Sequence, residues 1–350
     1  MSDLGLVMIV KDEEAWLPDT LTAARELGID SWVILDTGST DSTKTVTHTF
    51  LDGILGEWHE MADCESITQG RSELLRLAHN KADWLLMLDA DMTVKGELPP
   101  EPRAADCYHG TIEGSWEYAL PLLVRGSRRW SYHGVAHSYL VAEDGGGDYS
   151  EETCGLRIED RRPGGWRPGK IEEDARLFEQ ELERNPTDAR SSFYLAQTYA
   201  DLGRTGDALR EYGRRVLLEG WDQERFVAKL RRARLLCERE PGAGLGALME
   251  AWDERPSRAE PLYSAARLCR QQGWNEAALF FARKAASIPQ PPDRLFVEAT
   301  VYSVWVKLEL GIAEIRTGDK KRGKDILRKL RRHEKLSEAN EAWITELLEE

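Results

Sequence analysis

The chain has 350 residues, 41% hydrophobic and 31% charged, which is enough for two domains and at least one sizeable core. That balance excludes a disordered chain, and no apolar run approaches the ~20 residues of a membrane span. The net charge of −15 is uneven: residues 1–165 hold 14 Lys+Arg against 30 Asp+Glu, or −16, and the remainder 33 against 32, or +1. An acidic chain lacks the basic footprint of a nucleic-acid binder. An anionic ligand on the acidic half would need a divalent cation as intermediary. The five cysteines (64, 107, 154, 237 and 269) never form a C-x-x-C pair, as for reduced structural thiols. The opening "MSDLGLVMIVKDEE" lacks the pattern of a signal peptide, which predicts a cytoplasmic location.

In chain order, "LGLVMIV" (4–10) reads as a buried strand. Trp16, Leu17, Leu21, Ala24 and Leu27 lie at helical spacing behind it, with Gly28 as C-cap. "SWVILD" (31–36) is a second strand, and the turn "TGSTDST" offers Ser39, Thr40 or Asp41 as the next helix cap. "GILGEWH" is a third strand, "ITQGRSELLRLAHNKA" a helix and "DWLLML" (83–88) a fourth strand. "YALPLLV" and "HGVAHSYLV" read as further strands, and the Gly/Pro/Arg-rich "RRPGGWRPGK" (161–170) as the domain boundary. Beyond it helices prevail. Gly203 and Gly273 sit in matching turns ~70 residues apart, two units of the ~34–35-residue tetratricopeptide period. Ala196 then matches Ala266, and Ala208 matches Ala278 or Ala277. A weaker unit spans Leu230 to Pro256, and another Val301 to Leu330 with Gly318 in its turn. The domains predicted are 1–165, an α/β unit with a mostly parallel, Rossmann-like sheet, and 166–350, an all-α array of helical hairpins.

The β-α-β order brings Lys11 to Glu13, Asp36 to Asp41 and Asp89 to Asp91 to one sheet edge, beyond the carboxyl ends of the strands, where ligands of such sheets bind. Asp89 and Asp91, at i and i+2 after "WLLML", point the same way and repel, so a positive charge belongs with them. Hard oxygen ligands suit Mg²⁺ or Mn²⁺ bridging to a diphosphate.

"MIVKDEEAWL", "VILDTGSTDST", "QGRSELL", "WLLMLDADM", "HGVAH" and "FYLAQTYADLG" together resemble family 2 glycosyltransferases of the A fold fused to tetratricopeptide repeats. The resemblance implies a metal-dependent transfer of a sugar from a nucleotide-diphosphate sugar, UDP foremost, to an acceptor hydroxyl. It places Val10, Lys11, Glu13 and Asp36 around the base and ribose, and Arg71, Asp89 and Ala90 at the donor. It makes Asp91, Asp89 and His137 the metal set. Ser72 and Ser138 depart from the family's Arg-Asn and His-Glu. An inverting mechanism would add a base, Glu117 before Asp144 or Glu113; a retaining one would not. The repeats suit a protein or peptide acceptor carrying Ser or Thr.

Two other readings stand beside it. One is a repeat scaffold whose sheet domain has no catalysis. The other is a haloacid-dehalogenase-type phosphatase with Asp89 as nucleophile and Asp91 as acid/base, which lacks the later acidic motif that class needs. Oligomeric state is left open.

Overall fold

The computed structural model describes residues 3–101, 103–112, 118–144, 149–161, 169–334 and 336–349. The chain divides into two compact units, Met1–Phe178 and Glu179–Glu350. The boundary drawn at 165/166 lies outside the described residues; the units part inside a helix, α4 (Lys170–Arg184). Among the described residues no helix is long and apolar enough to cross a membrane.

The first unit is built on an eight-stranded sheet. Strands β1 (Leu4–Val10), β2 (Ser31–Asp36), β3 (Leu55–Glu60) and β4 (Trp84–Met87) pair in parallel in the order β3-β2-β1-β4. The sheet then becomes mixed through β7 (Tyr118–Arg125), β6 (Cys107–Ile112), β10 (Glu151–Asp160) and β5 (Met92–Lys95). The two pairings of β7 are antiparallel. β1 is apolar on both faces because both are covered, as in doubly wound sheets. Leu4, Leu6, Met8 and Val10 pack with Leu17, Leu21 and Ala24 of α1 (Leu17–Glu26). Val7 packs with Leu74, Leu75 and Ala78 of α3 (Ile67–Ala78) on the other side. The parallel half follows the sequence pattern; β5, β6 and β10 were not anticipated. "HGVAHSYLV" is not one strand. β8 (Trp130–His133) and β9 (Tyr139–Ala142) form a separate ribbon, and "GVAH" is the turn between them, with Gly134 at φ 104° and His137 at φ 47°.

The second unit is a stack of antiparallel hairpins. They are α5 (Ala189–Asp201) with α6 (Thr205–Leu217), α7 (Asp222–Arg239) with α8 (Pro241–Glu254), α9 (Glu260–Gln271) with α10 (Asn275–Ala286), and α11 (Val306–Arg316) with α12 (Lys320–His333). A π-helical turn, Val301–Trp305, leads into α11, and α13 (Glu338–Glu349) packs on α12. The first helices of successive hairpins touch: α5 meets α7, α7 meets α9, and α9 meets α11. The expected repeat is present in detail. Gly203 and Gly273 take φ 70° and 74°, and the next residues, Arg204 and Trp274, each donate to a carbonyl five residues back, both at 2.8 Å. Ala196, Ala266, Ala208 and Ala278 are all buried, since only a small side chain lets paired helices approach at these positions. At the α7–α8 junction Pro241 starts the second helix directly, which is why that repeat looked weak in the sequence.

Candidate functional site

At the carboxyl edge of the sheet the polar clusters converge as the strand order requires, and Asp12, Asp36, Asp41 and Asp89 bond to the chain itself. The Asp36 carboxylate accepts hydrogen bonds from the Gly38 and Ser39 amides at 3.2 and 2.9 Å and from the Ser39 hydroxyl at 2.7 Å. It therefore builds the turn after β2. Asp41 accepts from the Thr43 amide at the start of α2 (Thr43–Phe50) and from the Glu14 amide. Burial alone would raise the Asp41 carboxyl, but these bonds hold it below its usual range. Asp12, at φ 54°, accepts from the Thr40 amide at 2.6 Å, and the Glu13 amide donates to the Thr43 hydroxyl at 2.8 Å. The loops after β1 and β2 are thus laced together. The Val10 carbonyl accepts from the Thr37 amide, the Glu13 carbonyl from the first amides of α1, and Lys11 is exposed.

The Asp-Ala-Asp segment forms the turn between β4 and β5. Arg71 of α3 donates to both oxygens of Asp89, at 2.8 and 2.6 Å, and its guanidinium lies over the Tyr132 ring at 5.4 Å. Burial opposes the charge on Arg71, but Asp89 foremost, with Tyr132 and Asp91, raises its pKa above the ordinary value. Burial likewise pushes the Tyr132 phenol up to about 12. The Ala90 carbonyl accepts from the Thr20 hydroxyl at 2.6 Å, and the Asp91 carbonyl from the Arg161 amide at 3.1 Å. Arg161 also reaches Asp19, the Trp16 carbonyl and Thr20, closing the turn onto α1. Ser72 bonds to Thr68 and to both the amide and carbonyl of Tyr132, stapling α3 to β8.

The metal expectation is corrected by this geometry. Among the described residues no three His, Cys, Asp or Glu side chains are grouped to hold an ion. The positive charge required beside the aspartates is the Arg71 guanidinium. His137 lies in the β8–β9 turn with its ring parallel to Phe178 at 6.2 Å. Glu117 and Glu113 lie outside the described residues, and Asp144 is engaged by Arg128 at 3.0 Å. Clefts in this unit open elsewhere: one is lined by Thr22, Arg25 and Phe50, another by Asp3, Lys81, Asp83 and Arg125.

The helical unit holds an arrangement the sequence reading missed. The stretch between α10 and the π turn does not simply join two hairpins. Its residues Asp293–Glu298 lie across the first helices of the array. The side-chain oxygen of Gln223 accepts from the amides of both Arg294 and Leu295, at 3.0 and 2.9 Å. Arg258, wholly buried, donates to the Leu295 and Phe296 carbonyls at 3.3 and 3.0 Å. Asp293 is clamped by Arg255 and Arg258, and Glu298 by both terminal nitrogens of Arg234 at 2.6 and 3.1 Å. The Phe296 ring lies 4.6 Å from the Arg231 guanidinium and 6.4 Å from the Phe193 ring. Arg231 also bonds to Gln197 of α5. A spacing signal was available. Gly273 to Gly318 is 318 − 273 = 45 residues, against 35 per unit between Gly203 and Gly273. The excess, with the "PQPPD" that follows α10, marks an insertion.

No family model matches the chain, and no curated protein does. Similar solved structures include MamA from Desulfovibrio magneticus RS-1, at 18% identity, covering 47% of this chain and 85% of that one with a TM-score of 0.38. Another is YrrB, described as a TPR protein with an unusual peptide-binding site, at 12% identity, 46% and 77% coverage and a TM-score of 0.36. A third is TTC0263, a TPR protein of Thermus thermophilus, at 17% identity, 52% and 92% coverage and a TM-score of 0.37. The resemblance to family 2 glycosyltransferases is corrected: no family model matches the chain to bear it out.

Proposed function

We propose that the chain is a repeat scaffold whose helical unit binds an extended stretch of polypeptide along the face formed by α5, α7, α9 and α11. The observation that carries this reading is how that face holds Asp293–Glu298. Gln223 and Arg258 meet main-chain groups, which any sequence offers, and Arg231, Arg234 and Arg255 meet side chains, which select. Main-chain contacts for affinity with alternate side chains for choice is the logic of extended-peptide recognition. A stacked-hairpin array supplies a continuous face for it. Further along the same face, Gln197 is partly exposed and Asp201 and Arg267 are exposed.

The test is enrichment of random-sequence displayed peptides on the full chain, followed by titration of the winners against Arg231→Ala and Gln197→Ala. The reading expects saturable binding, weakened tenfold or more by either substitution. Absence of enrichment, or enriched peptides indifferent to both, would overturn it.

A further inference from the structure

We infer that the segment Asp293–Glu298 is an internal ligand of the repeat face, and that the partner this face takes is an extended acid-flanked apolar segment of the same chemistry. This inference rests on the scaffold reading above and names its ligand class.

The contacts run along α7 as they run along the segment. From Gln223 to Arg234 is 234 − 223 = 11 residues, or ~16 Å of helix at ~1.5 Å per residue. From Arg294 to Glu298 is four residues, at most ~13 Å at ~3.3 Å per residue, and the left-handed φ of Phe296 shortens it. The amides of Arg294 and Leu295 meet Gln223, the Phe296 ring meets Arg231 two turns on, and Glu298 meets Arg234 one turn further. The contacts thus follow in the same order along the helix and along the segment, as they would for a bound peptide. The two acids, Asp293 and Glu298, are met by three arginines of the array, so the face is built for negative charge at both ends, with the apolar Leu295, Phe296 and Val297 following Arg294 between them. Leu295 and Val297 are buried and the aromatic ring is seated on a guanidinium.

The internal occupant is also an imperfect one. Phe296 has φ 46°, in the left-handed region that a bulky residue adopts only under constraint. The segment carries that kink while tethered to α10 at one end and to the π turn at the other. A free peptide with the same side chains escapes it. The segment is thus strained where it is most tightly held, and a partner segment can compete with it.

The experiment uses the full chain and a labelled synthetic peptide of residues 290–299. Two variants vacate the face: one replaces residues 290–298 with Gly and Ser at constant length, the other is Phe296→Ala with Glu298→Ala. The expected result is peptide binding at least tenfold tighter to either variant than to the parent chain, lost when the peptide's own Phe296 is replaced by Ala. Equal binding to parent and variants, or no binding to a variant that keeps cooperative unfolding and native helix content, would overturn the inference. So would failure of both variants to fold, because the segment would then be core rather than ligand. Exchange of the segment between two copies, seen as a dimer of the parent chain, is a self-association outcome and also counts against it. If displayed random peptides bind the parent chain while the 290–299 peptide never competes with them, the scaffold reading survives and this inference fails alone.

Discussion

The carboxyl edge of the sheet and the first-helix face of the repeats are both rich in carboxylates and guanidinium groups, yet they use them differently. On the sheet edge most partners are close in sequence or on the neighbouring loop: Asp36 serves residues 38 and 39, Asp41 serves 43 and 14, and Asp89 takes Arg71 from the adjacent helix. On the repeat face, Gln223 and Arg234 hold residues 64 to 72 positions away, on a segment with no regular secondary structure of its own. The first pattern makes turns. The second grips a chain. A cluster of charges at a ligand edge is therefore a weak sign of a site until its partners are known.

The sharpest way to break this comparison is at Arg258. Arg258→Ala leaves Glu260 buried without its counter-charge and Asp293 with Arg255 alone, and we expect a loss of about 3–5 kcal/mol in urea unfolding. A loss below ~1 kcal/mol would mean the segment is not held by this network.

Acid should act on the same network next. Burial raises the Asp293 carboxyl, but its bonds to Arg255 and Arg258 outweigh that and leave it below the usual 3.8. A depressed folded-state value means the stabilisation is complete above the unfolded value near 3.8 and is lost as pH falls through the folded value. Asp293→Asn should remove this part of the acid sensitivity and cost about 1–3 kcal/mol at neutral pH, read by paired unfolding curves from pH 7 to 2.5.

On the sheet edge the effects should be smaller. Arg71→Ala leaves Asp89 unpaired, but 37% of that side chain is exposed to water, so we expect only about 1–2 kcal/mol. Both bonds to Asp89 come from one nitrogen, Nη2, so Arg71→Lys should restore part of the loss if its ammonium reaches the carboxylate. Added Mn²⁺ should leave the melting temperature of the parent and of Asp91→Ala unchanged; a metal-dependent rise in the parent alone would reverse the correction of the metal site.

The smallest test compares two hairpins. Gly203→Ala and Gly273→Ala should each cost about 1 kcal/mol, and equally, because both positions have positive φ and neither would bring a Cβ within 4 Å of another group. Unequal costs in thermal unfolding would show that the repeats are not energetically alike.

Much of the fold was legible. Apolar runs bounded by turn residues gave β1 to β4 and their helices, and the glycine spacing gave the hairpins, because both signals are local. β5, β6 and β10 escaped because pairing in the mixed half of the sheet joins segments such as Met92–Lys95 and Arg157–Asp160, distant in sequence and individually short. The edge was legible as a place but not as chemistry. The residue pattern showed that Asp89 and Asp91 needed a cation; only the resemblance set Arg71 beside Asp89 or a diphosphate, and neither showed that the guanidinium would take both oxygens of Asp89. The repeat face was missed because an extended segment held by helices has no periodicity of its own.

The same segment bears on how the unit folds. In an ordinary hairpin array each repeat contacts only its neighbours, so it can fold piecemeal and fray from its ends. Here residues just before α11 are bonded to α7 and lie against α5. That stitch closes a long loop, slows the search for the native arrangement, and forces the first three hairpins to unfold together with the fourth.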